Sequence, residues 1–248
     1  MRHMLMGLVA AAWATAGQAG IVTDFGDILF WAGSGTNEAV LVLDFGTAAA
    51  QSAPQAVAWG YRWNGAANLD DMVFALTGSI TGANVPAPVA GSDPRLGITA
   101  TYYTSFQSYF IADISYDQVG LPAGWSQEIR SLVNDFDSDI AIAQYEAPEA
   151  DGTWPQSGTL AVSPLGPADT ALIHGGWYGY VVAPYDPSTF EYPATVSFYQ
   201  PTAAIPEPAT GALVAAGAAA LAMHLWRRRR RATLERSSGR PLQPGGKA

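Results

Sequence analysis

A mainly β domain is what this sequence predicts, and three observations carry that prediction. Short segments rich in β-branched and aromatic residues recur along the chain with Gly, Pro, Asn and Asp between them. Helix signals are confined to two short segments of the body. No period of roughly 20 to 50 residues repeats, which argues against a solenoid or a propeller. The expected architecture is a single β-sandwich or antiparallel-sheet domain over residues 20–204 with one or two short helices. A cleavable N-terminal signal peptide (1–19) and one C-terminal transmembrane helix are expected to frame it.

The N-terminus reads Met1-Arg2-His3, then an apolar stretch from Leu5 to Ala16, then Gly17-Gln18-Ala19 before Gly20. A basic start, a short apolar run and small residues ahead of a cleavage point are the parts of a secretory signal peptide, with cleavage expected after Ala19. The apolar run is too short for an uncleaved anchor, which needs about 20 residues.

Strands are expected in order at Ala39 to Phe45 (AVLVLDF), Ala56 to Trp63 (AVAWGYRW), Gly97 to Tyr103, Ser108 to Tyr116 (SYFIADISY), Thr170 to Ala183 around Gly175-Gly176, and Thr195 to Tyr199. Between the second and third, Asn68 is a helix N-cap followed by Asp70 and Asp71 in the first turn and an apolar run through Leu76. A second helix is expected at Trp125 to Val133. Pro86-Ala87-Pro88 and Ser163 to Pro167 read as loops.

At the other end, Pro206-Glu207-Pro208 is followed by the apolar run Ala209 to Trp226 and then by Arg227, Arg228, Arg229, Arg230 and Arg231. Eighteen residues without a formal charge reach about 27 Å as a helix, close to the thickness of a bilayer's hydrocarbon core. The arginines then stay on the cytoplasmic side, which puts the body across the membrane. Charge segregated from the apolar run in this way differs from a basic amphipathic helix, where the two interleave.

This order of parts over residues 205–231 resembles the PEP-CTERM sorting signal recognised by exosortases of Gram-negative bacteria. The resemblance implies an exosortase-type processing enzyme as partner, a cut near Pro206-Glu207-Pro208, and delivery to the cell envelope or an extracellular polysaccharide matrix. The two prolines have fixed φ and no donor N–H, so they hold an extended segment that a protease can reach. In this chain the span (209–226) is rich in alanine, and a polar tail, 232–248, follows the arginine cluster (227–231).

The body is strongly acidic. Its basic residues are Arg62, Arg95 and Arg130, set against nineteen Asp and Glu, a formal charge of −16 over 20–205. Nucleic acid is thereby excluded as a partner, because phosphates must be met by Lys and Arg. The charge favours solubility or cation binding. With no cysteine, the exported domain must be held by burial alone, and thiol nucleophiles, Cys-based zinc sites and iron–sulfur clusters are excluded.

Two motifs invite a ligand. On a strand, Trp59, Tyr61 and Trp63 share one face, which serves either as core or as a carbohydrate-stacking platform. In the second, Asp135, Asp137, Asp139 and Glu146 stand at positions 1, 3, 5 and 12 of a calcium loop, although position 6 is Ile140 where the turn calls for glycine. A plain acidic loop fits the same residues. Catalysis finds little support: His174 is the only histidine of the body, His174-Gly175-Gly176 is similar to an oxyanion-loop fragment, and no G-x-S-x-G elbow exists. The expected function is therefore a non-enzymatic envelope or matrix protein without a required cofactor. Alternatives are a calcium- or carbohydrate-binding secreted module and, behind these, a secreted hydrolase.

Overall fold

The computed structural model describes residues 20–46, 56–105, 107–121, 125, 127–155, 158–163, 165–189 and 191–206. The expected signal peptide, the sorting-signal residues from Glu207 onward and the tail 232–248 lie outside the described residues. Among the described residues no helix is long and apolar enough to cross a membrane.

The described chain is mainly β. Its strands are β1 (Trp31–Gly33), β2 (Asn37–Asp44), β3 (Ala56–Trp63), β4 (Thr77–Ala83), β5 (Asp93–Tyr103), β6 (Ser108–Asp117), β7 (Ile129–Val133), β8 (Ile140–Ala147), β9 (Thr159–Val162), β10 (Trp177–Pro184), β11 (Thr195–Ser197) and β12 (Thr202–Ala203), with one helix, α1 (Leu69–Leu76). The larger sheet runs β1-β3-β2-β10-β8-β9-β11, and β12 also pairs with β3. The smaller sheet runs β4-β5-β6-β7.

Both sheets are mixed, so of the two expected architectures the two-sheet arrangement is consistent with the β-sandwich and not with a single antiparallel sheet. β1 and β12 run parallel to β3, β10 runs parallel to β2, and β4 parallel to β5. Strands β2 and β10 are far apart in sequence, so no hairpin imposes an antiparallel direction on them.

The AVLVLDF run is apolar at successive positions because the larger sheet is covered on both faces. Along β2, Ala39, Leu41 and Leu43 enter one core, while Val40 and Val42 enter another. The first core lies between the sheets, where Trp59 and Tyr180 of the larger meet Leu96, Ile114, Tyr116 and Leu132 of the smaller and Leu69, Met72 and Leu76 of α1. This arrangement is consistent with a β-sandwich. On the outer face, Val22, Ile28, Trp154 and Phe198 cover the second core.

Helix α1 starts where the sequence marks it. The Asn68 carboxamide oxygen accepts from the Asp71 N–H at 2.9 Å, and the Asp71 carboxylate accepts from the Asn68 N–H at 3.0 Å, a reciprocal capping box. It ends as the chain turns into β4, where the Thr77 hydroxyl donates to the Val73 carbonyl at 2.7 Å.

The two ends of the body meet on the sheet. The Val22 N–H donates to the Pro201 carbonyl at 2.8 Å, and the Ala203 N–H donates to Gly20 at 3.3 Å. Next, the Ala204 N–H donates to Ala58 of β3 at 2.9 Å. Ala203, Ala204 and Ile205 are buried, and Pro206 is exposed.

Three local expectations are corrected. Trp125 to Val133 holds no helix among its described residues; Ile129–Val133 is β7, with Arg130 and Leu132 turned inward and their neighbours outward. That alternation has period two, and pairing with β6 outweighs helix propensity. Strand β10 begins only at Trp177, since the chain through Gly175 (φ 87°) makes a turn that few non-glycine residues could adopt. Finally, Asp135 to Glu146 contains a 3-10 turn and then all but the last residue of β8, a strand in the second half of the expected loop.

Candidate functional site

A cleft of about 310 Å³ opens between β6 of the smaller sheet, the segment after β7, and β8 and β10 of the larger sheet. Its rim is aromatic: Tyr109 and Phe110 from β6, Phe136 from the 3-10 turn, and Tyr185 and Tyr192 from the chain after β10. Phe136 meets Tyr185 edge-on with ring centres 5.9 Å apart, and Tyr185 meets Tyr192 at 5.2 Å.

One side chain braces the two walls. Asn134 donates to the Ile111 carbonyl of β6 at 3.1 Å and accepts from the Ile142 N–H of β8 at 2.7 Å. It links one strand of each sheet. Opposite, the Tyr192 hydroxyl donates to the Ile142 carbonyl at 3.4 Å, which holds the 185–192 segment over β8.

Polar atoms also line the interior. Tyr180 is 3% exposed, and its hydroxyl has no hydrogen-bond partner among the described residues. The same holds for the Gln144 side-chain oxygen. The Gln144 amide orientation follows from its neighbour: the Thr170 hydroxyl donates to Gly166 at 2.9 Å, so it accepts from the Gln144 NH₂ at 2.8 Å and leaves Oε1 unmatched. A buried polar group without a partner costs about 1–3 kcal/mol.

The electrostatics of this region are set by burial more than by pairing. Burial, and secondarily the charge of Asp70, pushes the Tyr180 hydroxyl well above the usual tyrosine range. Asp70, in the first turn of α1, is itself pushed up to about 6 by burial and then by Asp71 and Asp169. Its charge also raises the Tyr109 hydroxyl, after burial. Glu146 at the far end of β8 is raised by burial, against a lowering hydrogen bond from Ser163.

The residues singled out by sequence fall elsewhere. Trp59 is 0% exposed and Trp63 5%, so their face is core and not a stacking platform. Tyr61 is half-buried and stacks on Trp63 at 5.7 Å, with the rings within 8° of parallel. The calcium set does not converge. Asp135, Asp137 and Asp139 sit on an exposed turn, and Glu146 lies six positions along β8 from Ile140, about 20 Å at strand rise. Among the described residues no group of three or more His, Cys, Asp or Glu is placed to hold a metal ion. His174 accepts the Glu38 N–H at 3.1 Å through Nδ1, a structural contact. Pro206 is exposed at the end of the body, while Glu207, Pro208 and Arg227 to Arg231 lie outside the described residues.

Sequence reasoning missed Tyr180, Gln144, Tyr185 and Tyr192. A signal existed for two of them. In IAIAQYEA, Gln144 shares a face with Ile142, a polar residue at a core position, and in WYGYVV Tyr180 shares a face with Tyr178 and Val182. The architecture thus defines a mainly β, sandwich-like domain with an aromatic-rimmed cleft between β6 of one sheet and β8 and β10 of the other. Comparison with known protein families, curated proteins and solved structures finds no match for this chain.

Proposed function

We propose that this chain is an exported, non-enzymatic protein of the cell envelope or extracellular matrix. A signal peptide directs the β domain across the membrane, and the span at 209–226 holds it there with Arg227 to Arg231 in the cytoplasm. An exosortase-type enzyme then cuts near Pro206-Glu207-Pro208. The polysaccharide of the matrix is the surrounding in which the released domain works.

The observation that carries this reading is the packing of the residues just ahead of the Pro-Glu-Pro. Ala204 and Ile205 are buried, Ala204 is bonded to β3, and Pro206 is exposed. The described core residues therefore lie ahead of the Pro-Glu-Pro, so a cut there would leave them in place. Support also comes from the other terminus: Gly20, the first residue after the expected signal cleavage, is already hydrogen-bonded to Ala203. The acidic body suits a soluble domain outside the cell.

The test is the intact mass of the full chain expressed in a Gram-negative host with and without an exosortase-type enzyme. The expected result is loss of the C-terminal segment only when the enzyme is present, with Glu207→Ala blocking that loss. Equal masses in both hosts would remove the processing step from this account.

A further inference from the structure

The geometry points to the cleft between β6, β8 and β10 as a binding site for a neutral hexopyranose unit of an oligosaccharide, with Tyr180 and Gln144 as its polar floor and Tyr185 and Tyr192 as its stacking rim. The inference stands on the cleft alone and does not depend on how the chain is exported.

Four features select this chemistry. The described lining carries no charged side chain, so an anionic ligand would lose its hydration without gaining a counter-ion. An apolar ligand is equally disfavoured, because it would leave the buried Tyr180 hydroxyl and Gln144 Oε1 as unpartnered as they already are. What these two atoms call for is a group that donates to Gln144 Oε1 and can either donate to or accept from the Tyr180 hydroxyl. Sugar hydroxyls meet that demand.

The rim supplies the complementary half. A pyranose ring has an apolar C–H face beside its equatorial hydroxyls, and aromatic side chains present large, rigid apolar area with few torsions to fix. Tyr185 and Tyr192 are half-buried and in mutual contact, and Phe136 packs against Tyr185, so the rim is preorganised. The volume, about 310 Å³, lies at the lower end of the range for small-ligand sites and suits a sugar unit of a chain that continues into solvent. Asn134 holds the two walls apart at a fixed spacing through its bonds to Ile111 and Ile142.

The test uses the full chain in a detergent without a sugar headgroup. Cellohexaose and mannohexaose are titrated as neutral probes and a hexamer of guluronate as the charged one, with binding read by calorimetry. Saturable binding of a neutral hexamer is expected, with none for the uronate. Tyr180→Phe and Tyr185→Ala should each weaken that binding by roughly tenfold or more, the equivalent of one lost hydrogen bond or stacking contact. Tyr185→Phe keeps the ring and should bind like the parent. Because Tyr180→Phe removes a hydroxyl without a partner among the described residues, its melting temperature should equal or exceed the parent's. The proposal is overturned if neither neutral hexamer binds, if the uronate binds as well, or if both substitutions leave affinity unchanged. A Tyr180→Phe variant that melts several degrees lower would also overturn it, since the hydroxyl would then have a structural partner.

Discussion

The indole N–H of Trp59 donates a 2.8 Å hydrogen bond to Asp93 Oδ2, and both residues are 0% exposed. Trp59 belongs to β3 of the larger sheet and Asp93 opens β5 of the smaller, so one buried bond ties the two layers together. The Trp59 ring also meets Tyr116 of β6 edge-on at 4.9 Å. A second bond fixes the carboxylate, since its Oδ1 accepts from the Arg95 N–H at 3.0 Å.

This relationship predicts that Trp59→Phe is severe. The substitution removes the indole donor from a buried carboxylate oxygen and leaves part of the indole volume unfilled. A loss of about 2–4 kcal/mol in unfolding free energy is expected. Urea unfolding of the parent and the variant checks it; a difference below about 1 kcal/mol would mean that the bond contributes little beyond an ordinary exposed pair.

Gly60 provides a second stability test. A Cβ at this position would overlap the Trp31 ring, which lies across β3 and carries the Arg62 guanidinium at 4.4 Å on its own face. Gly60→Ala must push Trp31 aside and break that stack. The expected loss is about 1–3 kcal/mol, an overpacking cost, despite alanine's better fit to a strand in isolation. Thermal unfolding reads it directly.

The pH response should carry the signature of Asp70. Its folded pKa of about 6 lies above the ordinary aspartate value of 3.8, so the folded state binds this proton more tightly than the unfolded chain does. The resulting penalty is present in full above pH 6, shrinks as pH falls through 6, and is gone below about 4. Asp70→Asn should therefore gain stability relative to the parent at pH 7.5, and the gain should fade at pH 4.5. Melting curves of both proteins at the two pH values test this. A difference independent of pH would show that Asp70 ionises as it would in an unfolded chain.

Calcium should not act through the acidic turn. Asp135 already accepts the Ser138 hydroxyl at 2.7 Å, and Glu146 is carried off by β8. Melting in millimolar calcium is compared with melting in sodium at matched ionic strength: screening of the acidic body should raise the melting temperature similarly in both salts. Asp137→Ala should leave the calcium response unchanged. A calcium-specific rise abolished by Asp137→Ala would restore the loop as a site.

Much of the framework was legible because local signals and tertiary pairing agreed. Asn68 with Asp71 marked the start of α1, and β3 matched its sequence bounds of Ala56 to Trp63 because its apolar and aromatic residues sit in a doubly covered sheet. Short strands such as β1, β9 and β12 left no comparable mark. They are two to four residues long, and their partners, not their composition, make them strands. The cleft was illegible for a related reason. Tyr109, Asn134, Gln144, Tyr180 and Tyr192 are spread over more than 80 positions, and only the pairing of strands far apart in sequence and the packing of the two sheets gather them. Conversely, the aromatic stretch at 59–63 stood out in sequence because it is core.

The most direct test of the central claim, that the β domain is exported and tethered from its C-terminal side, is a topology reporter joined after Pro208. Placed there, it lies beyond Ile205 and spares the pairing of Ala203 and Ala204 with Gly20 and β3. Alkaline phosphatase, active only outside the cytoplasm, should be active at this position, and a reporter that works only in the cytoplasm should be silent. The opposite pattern, cytoplasmic activity after Pro208, would contradict export and with it the reading of both ends of the chain.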